Sequence, residues 1–187
     1  DKGIKDLTLI APNFIRVPAF PEQIPNSSTL LPKAKKIITT FVGYRAFGGG
    51  DDALLGDRVK RGELELEIDG HGNWVLRLLA GAARMGGFYT PVGVGTELEQ
   101  GREVRVIDGQ GYIFVRALRP DVGLLRAYKA DKLGNLTYYG TERAPAPIIA
   151  QASKLTIAEV EEIVEVGELD PDEIVTPSAF VDRVVKI

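Results

Sequence analysis

Two glycines separated by one residue, Gly93 and Gly95, stand in the run Pro91-Val92-Gly93-Val94-Gly95-Thr96, which follows the aromatic pair Phe88-Tyr89 and Thr90. Glycine lacks a Cβ, so backbone amides in such a run can approach a ligand closely. The run has neither the G-x-G-x-x-G spacing of a dinucleotide fold nor the lysine of a P-loop, so nicotinamide and nucleoside triphosphate chemistry are not indicated. A tight turn between a helix and a strand explains the same two glycines equally well.

Other groups able to do chemistry are the glutamates and one histidine. Glu63, Glu65 and Glu67 alternate and share one face of a strand. Paired carboxylates could serve as acid and base, but like charges at alternate positions ordinarily mark a water-facing edge. Glu159, Glu161, Glu162 and Glu165 read the same way, with an acidic interaction face as the second use. The sole histidine, His71, sits in Asp69-Gly70-His71-Gly72-Asn73, which reads as an exposed turn between strand and helix. A serine–histidine–acid triad would need partners to meet it in space, and no spacing brings them there. One histidine without cysteine cannot supply the usual nitrogen and sulfur ligands of zinc, so neither a metal ligand set nor a catalytic nucleophile is assigned to this chain.

The elements that must position these residues follow from periodicity. Leu7 to Ala11 reads as a buried strand bounded by Pro12-Asn13. Five prolines (Pro12, Pro18, Pro21, Pro25, Pro32) then predict a covering loop with a short helix. Lys36 to Val42 is β-branched and apolar on both faces, as in a central strand. Gly48-Gly49-Gly50 breaks it, Asp51 or Asp52 caps a helix through Lys60, and Glu63 to Ile68 alternates as a half-buried strand. Trp74, Val75, Leu78, Leu79 and Ala82 recur at helical spacing, predicting a helix over Asn73 to Met85. Glu103 to Ile107 and Tyr112 to Ala117 flank Asp108-Gly109-Gln110-Gly111 as a hairpin, and Val122 to Ala130 and Lys154 to Val164 read as strands. This order predicts an α/β sandwich with a mixed sheet, helices on both faces and a peripheral β-hairpin, in one domain over residues 1–187.

Composition narrows the function classes. With 187 residues, 44% hydrophobic and 26% charged, the chain reads as a soluble globular protein. A formal net charge of −3 gives no broad positive field, so nucleic acid is not expected as a partner. The absence of cysteine excludes disulfides, a thiolate nucleophile and cysteine-ligated clusters. No apolar run approaches the roughly 20 residues of a membrane-spanning helix, and no signal-peptide pattern opens the chain, so a cytoplasmic location without a membrane partner is expected.

Seven stretches resemble the α (A) subunit of the family I CoA-transferases, the 3-oxoacid, acetate/acetoacetate and 3-oxoadipate group. They are Ile4 to Ile10, Arg61 to Glu67, Phe88 to Thr96, Gly101 to Val104, Ala117 to Asp121, Lys129 to Leu136, and Glu159 to Glu173 followed by Thr176-Pro177. The resemblance implies a mixed α/β sandwich and a ping-pong transfer of CoA between two carboxylic acids, with coenzyme A as substrate and no other cofactor. It implies a nucleophilic glutamate in a Ser-Glu-Asn-Gly motif of a β (B) subunit. No such motif occurs here, so the chain alone is expected to be inactive and to join that β partner in an α2β2 assembly. By the same resemblance Gly93, Val94 and Gly95 lie near the acyl group and Phe88, Tyr89 and Thr90 shape the acid pocket. Arg102 and Lys129 are candidate anion contacts, with surface charge as the alternative reading of each. The family's early Gly-Gly-Phe signature, expected a few tens of residues before Ile4, is absent, which suggests a missing N-terminal segment. Residues 142–147 and the stretch after Thr40 depart from the family's pattern, so the acids exchanged are left open. A non-catalytic acyl-CoA or carboxylate-binding module of the same fold is the alternative function, and a sugar-phosphate isomerase comes third for want of a basic phosphate site.

Overall fold

The computed structural model describes residues 3–12, 30–41 and 52–187, with backbone alone at 52–55 and 142. Most of the proline-rich covering loop, the Gly48-Gly49-Gly50 break and Asp51 lie outside the described residues. The chain divides into two compact units, residues 1–74 with 95–98, and residues 75–94 with 99–187.

In the first unit, β1 (Leu7–Ile10), β2 (Ala34–Thr39) and β3 (Glu65–Ile68) form a parallel sheet with β2 in the centre. The pairs Leu9 to Ile37 and Ile37 to Leu66 set its register. Ile37 and Ile38 are buried, as a run that is apolar on both faces requires in a central strand. The strand ends at Thr39, and Val42 lies outside the described residues. Helix α1 (Asp52–Lys60) follows the expected limits, and Arg58 ties it down by donating to the carbonyls of Leu31 and Ala34, both at 2.7 Å. The three alternating glutamates do not share one strand face, because β3 starts at Glu65. Glu63 precedes it and pairs with Arg61 at 2.7 Å, while Lys36 on β2 pairs with Glu65 at 2.7 Å and Glu67 at 2.8 Å.

Helix α2 (His71–Ala82) begins two residues before the periodicity indicates, so His71 is its first residue and not part of a preceding turn. Its buried stripe is also rotated. Asn73, Trp74, Arg77 and Leu78 are buried, whereas Leu79 is exposed. Polar side chains occupy core positions here because tertiary partners satisfy them: Asn73 Nδ2 donates to Asp69 Oδ1 at 3.1 Å, and Arg77 Nε donates to the Arg116 carbonyl at 2.7 Å.

The second unit holds two sheets. In the mixed sheet, β7 (Val122–Asp131) and β9 (Leu155–Val164) run parallel, β10 (Arg183–Lys186) adds parallel to β9, and β8 (Leu136–Thr137) adds antiparallel to β7. Helix α3 (Ala146–Ala152) places Ala146, Ile149 and Ala150 in the core against Leu125, Ala127, Ala158 and Val160. The outer edge of β9 is solvated, as expected: Glu161 pairs with Arg126 at 3.0 Å, Glu162 with Lys129 at 2.7 Å, and Glu165 with Lys132.

The antiparallel sheet has the order β4 (Gly87–Thr90), β6 (Gln110–Arg116), β5 (Val104–Ile107). The hairpin is present, but its loop is two residues long, not four, because Ile107 pairs with Gln110. Asp108 and Gly109 have φ of 51° and 78°, both left-handed, as a type I′ turn needs, and Asp-Gly is a favoured sequence for it. Mixed α/β architecture is thus the one expected, distributed over three sheets.

Candidate functional site

Strand β4 sets Phe88, Tyr89 and Thr90 against Val115, Phe114 and Ile113 of β6. Thr90 is buried, and Phe88 and Tyr89 are half-buried. The Tyr89 ring lies 5.3 Å from that of Phe114, and its hydroxyl donates to Glu103 Oε1 at 2.6 Å. Arg105 Nε donates to the same oxygen at 2.8 Å, and its guanidinium carbon sits 4.8 Å from the Tyr89 ring centroid. Desolvation, reinforced by the bond to Glu103, pushes the Tyr89 phenol up from its ordinary value. The Tyr89 hydroxyl, then Arg105, holds the Glu103 carboxyl below its own. At neutral pH this cluster is therefore a phenol donor, a carboxylate and a cation, which orients the Tyr89 ring and supplies no group poised to exchange a proton.

The turn after β4 is built from its own hydrogen bonds. Val92 N–H donates to Thr90 Oγ1 at 3.2 Å and Val94 N–H to the Pro91 carbonyl at 3.3 Å. Gly93 and Gly95 have φ of 99° and 74°, in the left-handed region that favours glycine. The turn leads through a short 3₁₀ turn at Glu97–Glu99 towards β5, so it joins two strands and not a helix to a strand. The Val94 side chain faces the hairpin, where a Cβ added at Gly111 would lie 3.2 Å from its Cγ1. At Gly95 an added Cβ would meet nothing within 4 Å. A side chain there meets open space, and its cost is backbone strain. Gly95→Ala is expected to destabilise by about 1 to 2 kcal/mol through its left-handed φ. Urea denaturation reads this, and an unchanged midpoint would show that the turn relaxes.

The two candidate anion contacts differ. Arg102 is half-buried and its amide donates to the Glu99 carbonyl at 3.0 Å. Lys129 pairs with Glu162 at 2.7 Å, which raises its ammonium above the ordinary value, and its Nζ lies 5.2 Å from the Tyr128 ring centroid. Lys129 also lines a cavity of about 440 Å³ with Tyr128, Tyr139, Arg143, Glu168 and Glu173. Periodicity does not reveal this cavity, because its walls come from β7, β8 and segments some 40 residues apart in the chain.

A second locus, which no local pattern in the sequence indicates, lies in the first unit where the parallel strands end. The Thr40 hydroxyl donates to the Pro12 carbonyl at 2.6 Å, and His71 Nδ1 lies 3.1 Å from Thr40 Oγ1. The His71 ring stacks on that of Trp74, with centroids 6.4 Å apart and planes at 25°. His71 is exposed and Trp74 fully buried. Only a 31-residue separation between Thr40 and His71 hides this pairing from local patterns. Among the described residues no group of three or more histidine, cysteine, aspartate or glutamate side chains could hold a metal ion. No helix of the described residues is long and apolar enough to cross a membrane.

A family model described as Coenzyme A transferase matches residues 25–187. The chain is 42% identical over 187 residues to the A subunit of the succinyl-CoA:3-ketoacid coenzyme A transferase of Helicobacter pylori J99, aligning 99% of itself with 75% of that protein. It is 37% identical over 186 residues to the A subunit of the 3-oxoadipate CoA-transferase of Pseudomonas putida, covering 99% of itself and 76% of that protein. The solved glutaconate coenzyme A-transferase of Acidaminococcus fermentans superposes with a TM-score of 0.76 at 19% identity, over 99% of this chain and 63% of that one. That last likeness speaks for the fold alone.

Proposed function

The chain belongs to the coenzyme A transferase family, and from that premise we propose that it is the A subunit of an enzyme moving coenzyme A between an acyl-CoA and a carboxylic acid, with a 3-oxoacid such as acetoacetate or 3-oxoadipate as one of the acids. The observation that carries this reading is the similarity of 99% of the chain to proteins named as the A subunits of such enzymes.

In the proposed ping-pong cycle a glutamate carried by the β partner attacks the acyl-CoA carbonyl. The thioester bond breaks, coenzyme A leaves as thiolate, and an acyl-glutamyl anhydride remains. The thiolate attacks the glutamyl carbonyl, the first acid departs as carboxylate, and a glutamyl-CoA thioester is left. The second acid repeats these steps in reverse and leaves as its CoA ester, which restores the glutamate. Within this chain, Glu63, Glu65, Glu67, Glu103, Glu161 and Glu162 are each paired with a lysine or arginine. The resemblance, together with the lack of a Ser-Glu-Asn-Gly run in this sequence, supports a nucleophile on the partner. This chain's part is then to form a wall of the site, Phe88, Tyr89 and Thr90 bounding the acid and Gly93, Val94 and Gly95 lying near the acyl group. Coenzyme A is a substrate, no separate cofactor takes part, and the assembly is α2β2 in the cytoplasm.

The test is CoA transfer from succinyl-CoA to acetoacetate by the chain alone and co-purified with a β partner. Activity is expected only from the pair, with coenzyme A trapped as a thioester on the β chain. Transfer by the chain alone would overturn the split site. A pair that binds acyl-CoA without turnover would make the chain a binding module instead.

A further inference from the structure

We infer that β5 is the surface by which two copies of this chain meet, its free edge pairing antiparallel with the same edge of the second copy about a two-fold axis at Val104. The inference deepens the proposed α2β2 assembly, on which it rests only for the presence of two copies.

The backbone is the first ground. β5 is an edge strand, with β6 on one side and no described strand on the other. Phe114 N–H donates to the Glu103 carbonyl at 2.8 Å, and Arg105 and Ile107 stand opposite Tyr112 and Gln110 in the same register. Hydrogen-bonded pairs alternate along an antiparallel ladder, so residues 103, 105 and 107 direct their backbone groups at β6. Those of Val104 and Val106 therefore point away from it, to the free edge.

The side chains are the second ground. Val104 shares a sheet face with Ile113 and Thr90, both buried, yet it is 44% exposed, and Val106, next on that face, is 73% exposed. The core-facing side of the sheet thus runs out past the core that covers it. The edge strands β3 and β10 carry Glu65 and Glu67, and Arg183 and Lys186, charges of the kind that keep an edge from pairing. In β5 the one charged residue is Arg105, and Glu103 of the same chain holds it at 2.8 Å. A row of outward amides and carbonyls beside apolar side chains is matched by another strand.

Charge selects which strand, and in what register. Because the outward groups belong to Val104 and Val106, a two-fold axis within their span passes through Val104, Arg105 or Val106. An axis at Arg105 sets that cation opposite its own copy, which is unfavourable. An axis at Val106 brings Val104 opposite Asp108, whose left-handed φ of 51° has already left the strand. An axis at Val104 sets Arg105 opposite Glu103 of the second copy, and Glu103 opposite Arg105 of the second copy, all on one face. The edge is then complementary to itself, as an isologous contact requires.

The experiment introduces single cysteines into a chain that has none, purified together with the subunits it binds and treated with oxidised glutathione. At the axis the two Cα atoms of residue 104 lie about 5.5 Å apart, within reach of a disulfide. Val104→Cys is expected to shift most of this chain to doubled mass on non-reducing electrophoresis, at a rate that does not fall on dilution. Val106→Cys places its thiol on the same face in a more exposed position, but its two copies lie about 14 Å apart and are expected to stay unlinked. Random collision would favour the more exposed thiol, so the order of the two variants reads register and not reactivity. No doubled species from Val104→Cys, linkage of Val106→Cys as fast as that of Val104→Cys, or a disulfide from Val104→Cys to a different subunit would overturn the inference. No readout needs turnover, so an active enzyme without this disulfide sinks the inference alone, and an inactive protein that forms it sinks only the transfer reading.

Discussion

Gly81→Ala is expected to destabilise the protein by about 3 kcal/mol or more, although glycine to alanine inside a helix ordinarily stabilises by up to about 1 kcal/mol. A Cβ at Gly81 would lie 1.9 Å from the Leu118 carbonyl oxygen and 2.9 Å from its carbon, both backbone atoms that no rotamer change can move aside. The approach is this close because Leu118 N–H donates to the Arg77 carbonyl at 2.8 Å while Arg77 Nε reaches the Arg116 carbonyl at 2.7 Å, which clamps α2 onto the segment after β6. Gly56 in α1 is the internal control, since a Cβ there meets nothing within 4 Å. Gly56→Ala should therefore shift the urea midpoint upward and Gly81→Ala downward. Two shifts of the same sign would mean that α2 does not sit this close to Leu118.

The second large effect belongs to Asp131. Its Oδ1 accepts from the amides of Leu133, Gly134 and Asn135 at 3.0, 2.9 and 2.9 Å, and its Oδ2 accepts from Asn135 Nδ2 at 2.7 Å. Asn135 Oδ1 in turn accepts from Ser178 N–H at 2.8 Å, which fastens the turn to the C-terminal segment. The carboxylate is 3% exposed, so truncation strands several buried donors. Asp131→Ala should cost about 3 kcal/mol at pH 7. Burial by itself would raise this carboxyl group, but the bonds from Asn135, Gly134 and Leu133 outweigh it and hold the group below its usual range. The folded value is thus the depressed one. Its contribution is complete above the unfolded value near 3.9 and is lost as pH falls through the lower folded value. The wild-type advantage over Asp131→Asn should accordingly shrink below about pH 4. A constant difference between the two proteins from pH 7 to pH 3 would show that the charge of Asp131 is not what the turn uses.

Where an element's own periodicity or turn chemistry suffices, the amino-acid order already declares it. The β-branched run of β2, the alternation of β9, the Asp-Gly turn of the hairpin and the limits of α1 are of this kind. Elements that exist by partnership are not legible in the chain. Strand β8 has two residues and needs β7 beside it, and β10 is a four-residue edge strand paired only with β9. Helix α3 is flanked and entered by Pro145 and Pro147, which read as breakers in a sequence and yet suit a first turn whose amides need no helical acceptor.

The candidate site divides along the same line. The residue types from Phe88 to Gly95, the left-handed demand of a glycine pair and the exclusion of cysteine and of a zinc ligand set follow from the sequence by itself, because they concern what a residue is and how its own backbone turns. Tertiary structure alone decided that Tyr89 is held by Glu103 and Arg105, that Glu63 and Glu65 serve different cations, and that Thr40 comes within hydrogen-bond reach of His71. A hydrogen bond has a direction and a reach of about 3 Å. Whether residues distant in the chain come within that reach depends on how sheets and helices pack, which no local pattern in the chain contains.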